Sequence, residues 1–236
     1  MNSEIELRPL SSIADVAAAA RVLAEVWGVA DTAPEPSPDW LRALAFTENY
    51  VAGAFVDHDH LVGAAVGFWG HDRNGPILHS HATGVVPAFA GRGVGYALKQ
   101  HQRSWTLEHN VERITWTFDP LIRRNAHFNL VKLGAYFGEY HESFYGEMRD
   151  SVNTGDLSDR VVAVWDLRDA TPNGSPLPGH QTRTIAIPAD IVSLRRTDPG
   201  AAMRWRLATR AAFRDAFGEG FCARTISKNG DYTLVK

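Results

Sequence analysis

The sequence predicts an α/β fold that ends in a smaller βαββ appendage. Three observations carry this reading. Runs rich in β-branched and aromatic residues alternate with stretches whose apolar residues recur at helical spacing. A glycine-rich junction, Pro87 to Gly95, joins one apolar run directly to a helical stretch. Between Asp169 and Gly179 the composition changes to Pro, Gly, Asn and Ser, as in a linker. The expected organisation is a core over residues 1–168, a linker over 169–180 and an extension over 181–236.

The elements follow in order. Ile5 and Leu7 begin a short strand, and Ser11 or Ser12 caps a helix bearing Val16, Ala20, Leu23 and Val26-Trp27, which Gly28 stops. Pro34, Pro36 and Pro38 stiffen a loop before a short helix from Trp40 to Phe46. Tyr50 to Val56 and Leu61 to Trp69 form a hairpin around Asp57-His58-Asp59-His60, whose histidines read as solvated turn residues rather than metal ligands. Ile77 to Val86 is the next strand, and a helix runs from about Gly95 to His109. A strand from Ile114 to Phe118 closes at Asp119-Pro120, a helix from Arg123 to Leu133 stops at Gly134, and Tyr140 to Tyr145 and Val161 to Leu167 read as strands. The extension holds Thr184 to Ile187, a helix from Asp198 to Phe217, and strands at Phe221 to Ile226 and Tyr232 to Val235. Arg204, Arg206, Arg210 and Arg214 on that helix read as a solvated face, with an anion site as the alternative.

Bulk properties exclude several classes. A net charge of −3 over 236 residues offers no general attraction to nucleic acid. The one cysteine, Cys222, forms no internal disulfide and reads as a small apolar residue. No apolar run reaches membrane-spanning length, and Met1-Asn2-Ser3-Glu4 opens no signal sequence. These observations predict a cytoplasmic protein without membrane or nucleic-acid partners, with a homodimer open to it.

The junction Pro87-Ala88-Phe89-Ala90-Gly91-Arg92-Gly93-Val94-Gly95 carries the functional signal. Glycines at alternate positions let the backbone approach a ligand, and the following helix start presents unpaired N–H groups at its positive dipole end. That combination suits a pyrophosphate. No Lys-Ser or Lys-Thr pair follows, which excludes a Walker A loop. A dinucleotide loop ranks second: Asp119 sits where a ribose-binding acid belongs, but the third fingerprint glycine falls on Tyr96.

Val85-Val86-Pro87 followed by Gly91-Arg92-Gly93-Val94-Gly95-Tyr96-Ala97-Leu98 resembles motif A of the GNAT superfamily of acyl-CoA-dependent N-acyltransferases. The order of elements over about residues 4–168 resembles it too, which implies a mixed, mostly antiparallel central sheet flanked by helices. The resemblance implies that Gly91, Arg92, Gly93, Val94, Gly95 and Tyr96 grip the CoA pyrophosphate. Val85 and Val86 then flank the pantetheine, with the Val85 N–H meeting the oxyanion. Ala90 departs from the Gln or Arg usual at its place, so the grip falls more heavily on backbone amides and Arg92. Arg123 to Ala135 resembles motif B, which implies that Asn125 and Asn129 bond the pantetheine or thiol. Leu130 stands where that motif has its tyrosine acid, leaving Tyr136, Tyr140 and Tyr145 as substitutes.

Acyl transfer to an amine needs a base for the ammonium proton, and His79 and His81, two apart on one strand, are the candidates. Strand alternation places both on one face with Thr83 and Val85. The pair resembles the His-x-His of arylalkylamine N-acetyltransferases, and His79 falls where other GNAT enzymes have a glutamate base. Thr115 to Leu121, Asn125-Ala126 and Phe144-Tyr145-Gly146 resemble a poorly defined GNAT branch with a C-terminal extension. The expected function is direct transfer of an acyl group, acetyl foremost, from acyl-CoA to a primary amine of a small molecule, with no metal. One alternative is an amino-acid N-succinyltransferase using Arg123, Arg124 or Arg160 for the distal carboxylate. Another is a non-catalytic acyl-CoA-binding module.

Overall fold

The computed structural model describes residues 5–28, 36–146, 156–168 and 181–236. Pro34 and the expected linker 169–180 lie outside them. Contacts divide the chain into two compact units, one ending at Ile114 and one running from Thr115 to Lys236. The division falls within the strand expected at Ile114 to Phe118.

In the first unit, β1 (Glu6–Pro9), β2 (Tyr50–Val56), β3 (His60–Asp72) and β4 (Gly75–Val85) lie in that order, every pairing antiparallel. This arrangement removes the dinucleotide reading, which needs parallel strands joined by crossovers. Helix α1 (Ile13–Trp27) starts at Ser12, whose Oγ accepts the Asp15 amide at 3.1 Å, and stops at Gly28 with φ 62°. Its apolar face, Val16, Ala19, Ala20 and Leu23, packs with Leu41 of α2 (Pro38–Phe46) and with Ala64, Val66 and Ala82. Each fully buried leucine or valine there contributes about 2 kcal/mol of transfer free energy. Helix α3 (Val94–Glu108) packs on β2, β3 and β4.

Strand β4 carries a β-bulge. Val66 pairs with Ala82 but Gly67 pairs with Ser80, so His81 is the extra residue. A bulge reverses the alternation of faces beyond it. Ala82 and Gly84 therefore face α1, while Ser80 faces Lys99 of α3 and Val85 lies beside Gly95. His79 and His81 share a face, as expected, but Thr83 and Val85 lie on the other.

The second unit orders its strands β5 (Arg113–Phe118), β7 (Arg160–Asp166), β6 (Tyr136–His141), β9 (Cys222–Ile226), β10 (Asp231–Val235) and β8 (Thr182–Ala186). Strands β6 and β9 pair at Phe137 and Ala223, so the extension continues the same sheet. Phe137, Phe213, Phe217 and Tyr232 form its aromatic core. Three expectations change here. Strand β6 spans 136–141, and 142–145 form a turn instead of continuing it. The helix expected over 123–133 is α4 (Arg123–His127) followed by a π-helical turn, Phe128–Lys132, in which the Leu133 N–H donates to Phe128 O at 3.0 Å. A further helix, α5 (Ile191–Thr197), capped by Asp190, precedes α6 (Pro199–Gly218). Helix α6 is a solvated arginine face only in part: Arg204 and Arg214 are exposed, whereas Arg206 is 0% exposed and Arg210 is bound to Asp159 and Glu142. Among the described residues no helix is long and apolar enough to cross a membrane.

Candidate active site

The glycine junction is built for close approach. After a 3-10 turn at Pro87–Phe89, Gly91 has φ 77° and Gly93, the N-cap of α3, has φ 86°, in the region that favours glycine. A Cβ at either position would meet nothing within 4 Å. Gly95 has no such backbone demand, and a Cβ there would find only Val85 Cγ2, at an ordinary 3.7 Å. Packing thus gives no reason for glycine at 95, whereas a ligand lying against the backbone does. The amides of Val94, Gly95 and Tyr96 belong to the first turn, which has no partner inside the helix, and no acidic residue competes there. Arg92 is exposed, its guanidinium 5.0 Å from the Phe89 ring. These features fit the pyrophosphate of an acyl-CoA.

The strand edge is equally defined. Val86 donates its N–H to Val62 O at 3.0 Å and accepts the Phe89 N–H at 2.9 Å. Its backbone is therefore engaged within the protein, which corrects the expectation of a pantetheine contact there. By alternation the Val85 N–H points to the opposite edge of β4, away from β3.

His79 and His81 sit in a nest of rings. Phe68 lies 5.2 Å from His79 and 5.9 Å from His81, and Trp40 of α2 lies 5.5 Å from His81 and 6.5 Å from Phe68. His79 is half-buried and His81 opens to solvent. Burial, then the charges of His81 and Lys99, push the His79 imidazole down to about 4. The rings that displace water around His81 lower it as well. Both imidazoles are therefore neutral at neutral pH.

Sequence reasoning missed Trp40, Phe68 and a buried polar seam behind the strand. On the α3 side, Lys99 Nζ donates to Ser80 Oγ at 3.0 Å and to Gln102 Oε1 at 2.7 Å, and burial pushes its ammonium down to about 7. A lysine facing a strand serine at i, i+3 from a glutamine was the available signal; its burial was not visible locally.

In the second unit the tyrosines separate. Tyr140 OH donates to Asp159 Oδ2 at 2.7 Å, and burial and that carboxylate raise its pKa well above the usual tyrosine value. A phenol holding its proton for a paired carboxylate does not suit thiolate protonation, so Tyr140 is withdrawn as the acid. Tyr145 is exposed, and its hydroxyl lies 2.8 Å from Thr117 Oγ1. Tyr145→Phe is expected to lower kcat about tenfold or more with CoA affinity unchanged, whereas Tyr140→Phe acts on stability. Steady-state kinetics beside calorimetry checks this, and a full rate from Tyr145→Phe removes the role. Asn125 is half-buried on α4 and Asn129 buried in the π turn, while Leu130 is 0% exposed and serves the core. Arg123 donates to Lys228 O and Ile187 O, and Arg160 is buried with Nη1 on Asp159 O at 2.9 Å. Neither suits an exposed carboxylate clamp for succinyl-CoA, whereas Arg124, the third candidate, is exposed. No group of His, Cys, Asp or Glu among the described residues is arranged to hold a metal ion.

Residues 19–134 match the model of the acetyltransferase (GNAT) family. No curated protein sequence matches the chain. Among solved structures, the ribosomal-protein-S18-alanine N-acetyltransferase of Escherichia coli is similar over 71% of this chain and 96% of its own, with a TM-score of 0.55 at 13% identity. A GNAT family acetyltransferase from Elizabethkingia anophelis with acetyl-CoA bound is similar over 69% and 97%, TM-score 0.52, 12% identity. A chain of the NatC complex bound to Gag peptide and CoA is similar over 69% and 98%, TM-score 0.52, 16% identity. At these identities the likenesses establish the fold.

Proposed function

Because this chain belongs to the GNAT superfamily and is an N-acyltransferase, we propose that it transfers the acetyl group of acetyl-CoA directly to a primary amine of a small molecule. The observation that carries the acceptor side is the pair of neutral imidazoles framed by Trp40 and Phe68. The strand bearing them leads into the glycine cradle, so amine and cofactor sites share one element.

Acetyl-CoA supplies an activated thioester carbonyl. The amides of Val94 to Tyr96 and the Arg92 guanidinium hold the pyrophosphate, and the Val85 N–H meets the carbonyl oxygen as negative charge develops. His79 takes the ammonium proton, directly or through water, and passes it to solvent by way of exposed His81. Ser80, the serine of this strand, is buried with its Oγ accepting from Lys99 Nζ, so the reading is a ternary complex.

The test is thiol release over a panel of amines with acetyl and succinyl donors. His79→Ala is expected to lower the rate about a hundredfold at pH 7, and less where the amine is already deprotonated. His79 stays neutral down to about pH 4–5, so the acid limb of the wild-type profile tracks the amine rather than this imidazole. An equal loss at every pH makes His79 a positioning group. Silence from the whole panel, with CoA binding intact, makes the chain a binding module.

A further inference from the structure

We propose that the C-terminal extension is a positioning device for acyl transfer, in which Arg195, Arg206 and Tyr232 clamp the turn between β5 and α4 and so fix the segment carrying Asn125 and Asn129. The inference rests on reading those asparagines as CoA-side residues.

The turn, Asp119-Pro120-Leu121-Ile122, already closes on itself. The Leu121 N–H donates to Asp119 Oδ1 at 2.9 Å, and the Ile122 N–H to Asp119 O at 3.1 Å. The extension then holds the Asp119 carboxylate and the Pro120 carbonyl. Arg206 of α6 donates Nη1 to Asp119 Oδ1 and Nη2 to Oδ2, both at 2.8 Å. Arg195 of α5 adds Nη2 to Oδ2 at 2.5 Å. Tyr232 OH of β10 donates to Pro120 O at 2.7 Å. Arg123, the first residue of α4, donates to Ile187 O and Lys228 O and lies so close over Gly230 that a Cβ there would stand 2.5 Å from its guanidinium. Residues 119, 120 and 123 are thus each gripped by a different part of the extension.

Closing a strand-to-helix turn does not require this. Asp119 is 3% exposed and Arg206 0%, and burying charges is costly unless the geometry is excellent. What the clamp adds is precision: α4 is only five residues long, so displacement of the turn passes rigidly to Asn125 and, through the π turn, to Asn129. Catalytic and binding groups tolerate displacements of well under 1 Å before affinity and rate suffer.

Tyr232→Phe removes one hydroxyl and keeps the ring packed on Phe137 and Phe213. Arg195→Lys keeps the charge and loses the fork. Both variants are expected to raise the Kd of CoA and the KM for acetyl-CoA roughly tenfold, to quicken hydrogen exchange of amides 121–133, and to leave kcat at saturation within about twofold. Arg183→Gln, in the same extension but on exposed Asp215 and Glu219, is expected to match wild type in all three. Wild-type CoA affinity in Tyr232→Phe, or equal weakening in Arg183→Gln, overturns the proposal. If Arg195→Lys does not fold, Tyr232→Phe decides alone. A wild-type protein that binds CoA but acetylates no amine ends the enzymatic reading while Kd and exchange still decide this one; failure to bind CoA overturns both.

Discussion

Gly95→Val is expected to weaken acetyl-CoA binding by a hundredfold or more, about 3 kcal/mol, with the melting midpoint held within about 3 °C of wild type. The separation follows from the surroundings of that residue. Its φ is not in the left-handed region and a Cβ there meets only Val85 Cγ2, at an ordinary 3.7 Å, so the protein accepts a Cβ without strain. A ligand lying on the first-turn amides does not, because valine methyls occupy the space its phosphates need. Gly93→Val is expected to show the same loss together with about 1–2 kcal/mol of strain from φ 86°. Calorimetry against acetyl-CoA and NADH, run beside thermal melts, checks both. Unaltered acetyl-CoA affinity in Gly95→Val would falsify the placement of the pyrophosphate.

Asp119→Ala is expected to cost about 3–5 kcal/mol of stability, read as a lower urea midpoint with an unchanged m-value. Asp119 and Asp156 together neutralise Arg195 and Arg206 in a nearly dry site. Removal of Asp119 leaves two guanidinium groups facing Asp156. Burial by itself raises the Asp119 carboxyl, but the charges and hydrogen bonds of Arg206 and Arg195 outweigh it and hold the group below the ordinary carboxylate range. A depressed folded pKa contributes stability above the unfolded value of about 3.9, lost as pH falls through the lower folded value. The gap between wild type and Asp119→Ala should therefore stay full from pH 7 to about pH 5 and narrow below about pH 4. A gap that is constant to pH 2 contradicts the ionised pairing.

Much of the fold was legible because its signals are local. Ser12 caps α1, Gly28 ends it, and the hairpin β2–β3 stands where alternating apolar residues flank Asp57 to His60. The junction at Gly91 to Gly95 was readable for the same reason: positive φ and a helix start are properties of a few adjacent residues. The bulge at His81 was not legible, since His79, His81, Thr83 and Val85 alternate in sequence as if no residue were extra. Nor was the π turn, whose pattern from Arg123 to Leu133 reads as ordinary helix.

By itself, then, the sequence determined the order of elements apart from α5, the glycine loop at the helix start and the imidazole pair, because caps, turns and periodicity act over one to seven residues. Tertiary structure alone decided which face Val85 takes, that Tyr140 keeps its proton for Asp159, and that Arg206 is buried on Asp119 across 87 residues of chain. Those outcomes depend on strand register and on pairing between charges far apart in the chain, and no local pattern encodes which distant partner a buried charge will find.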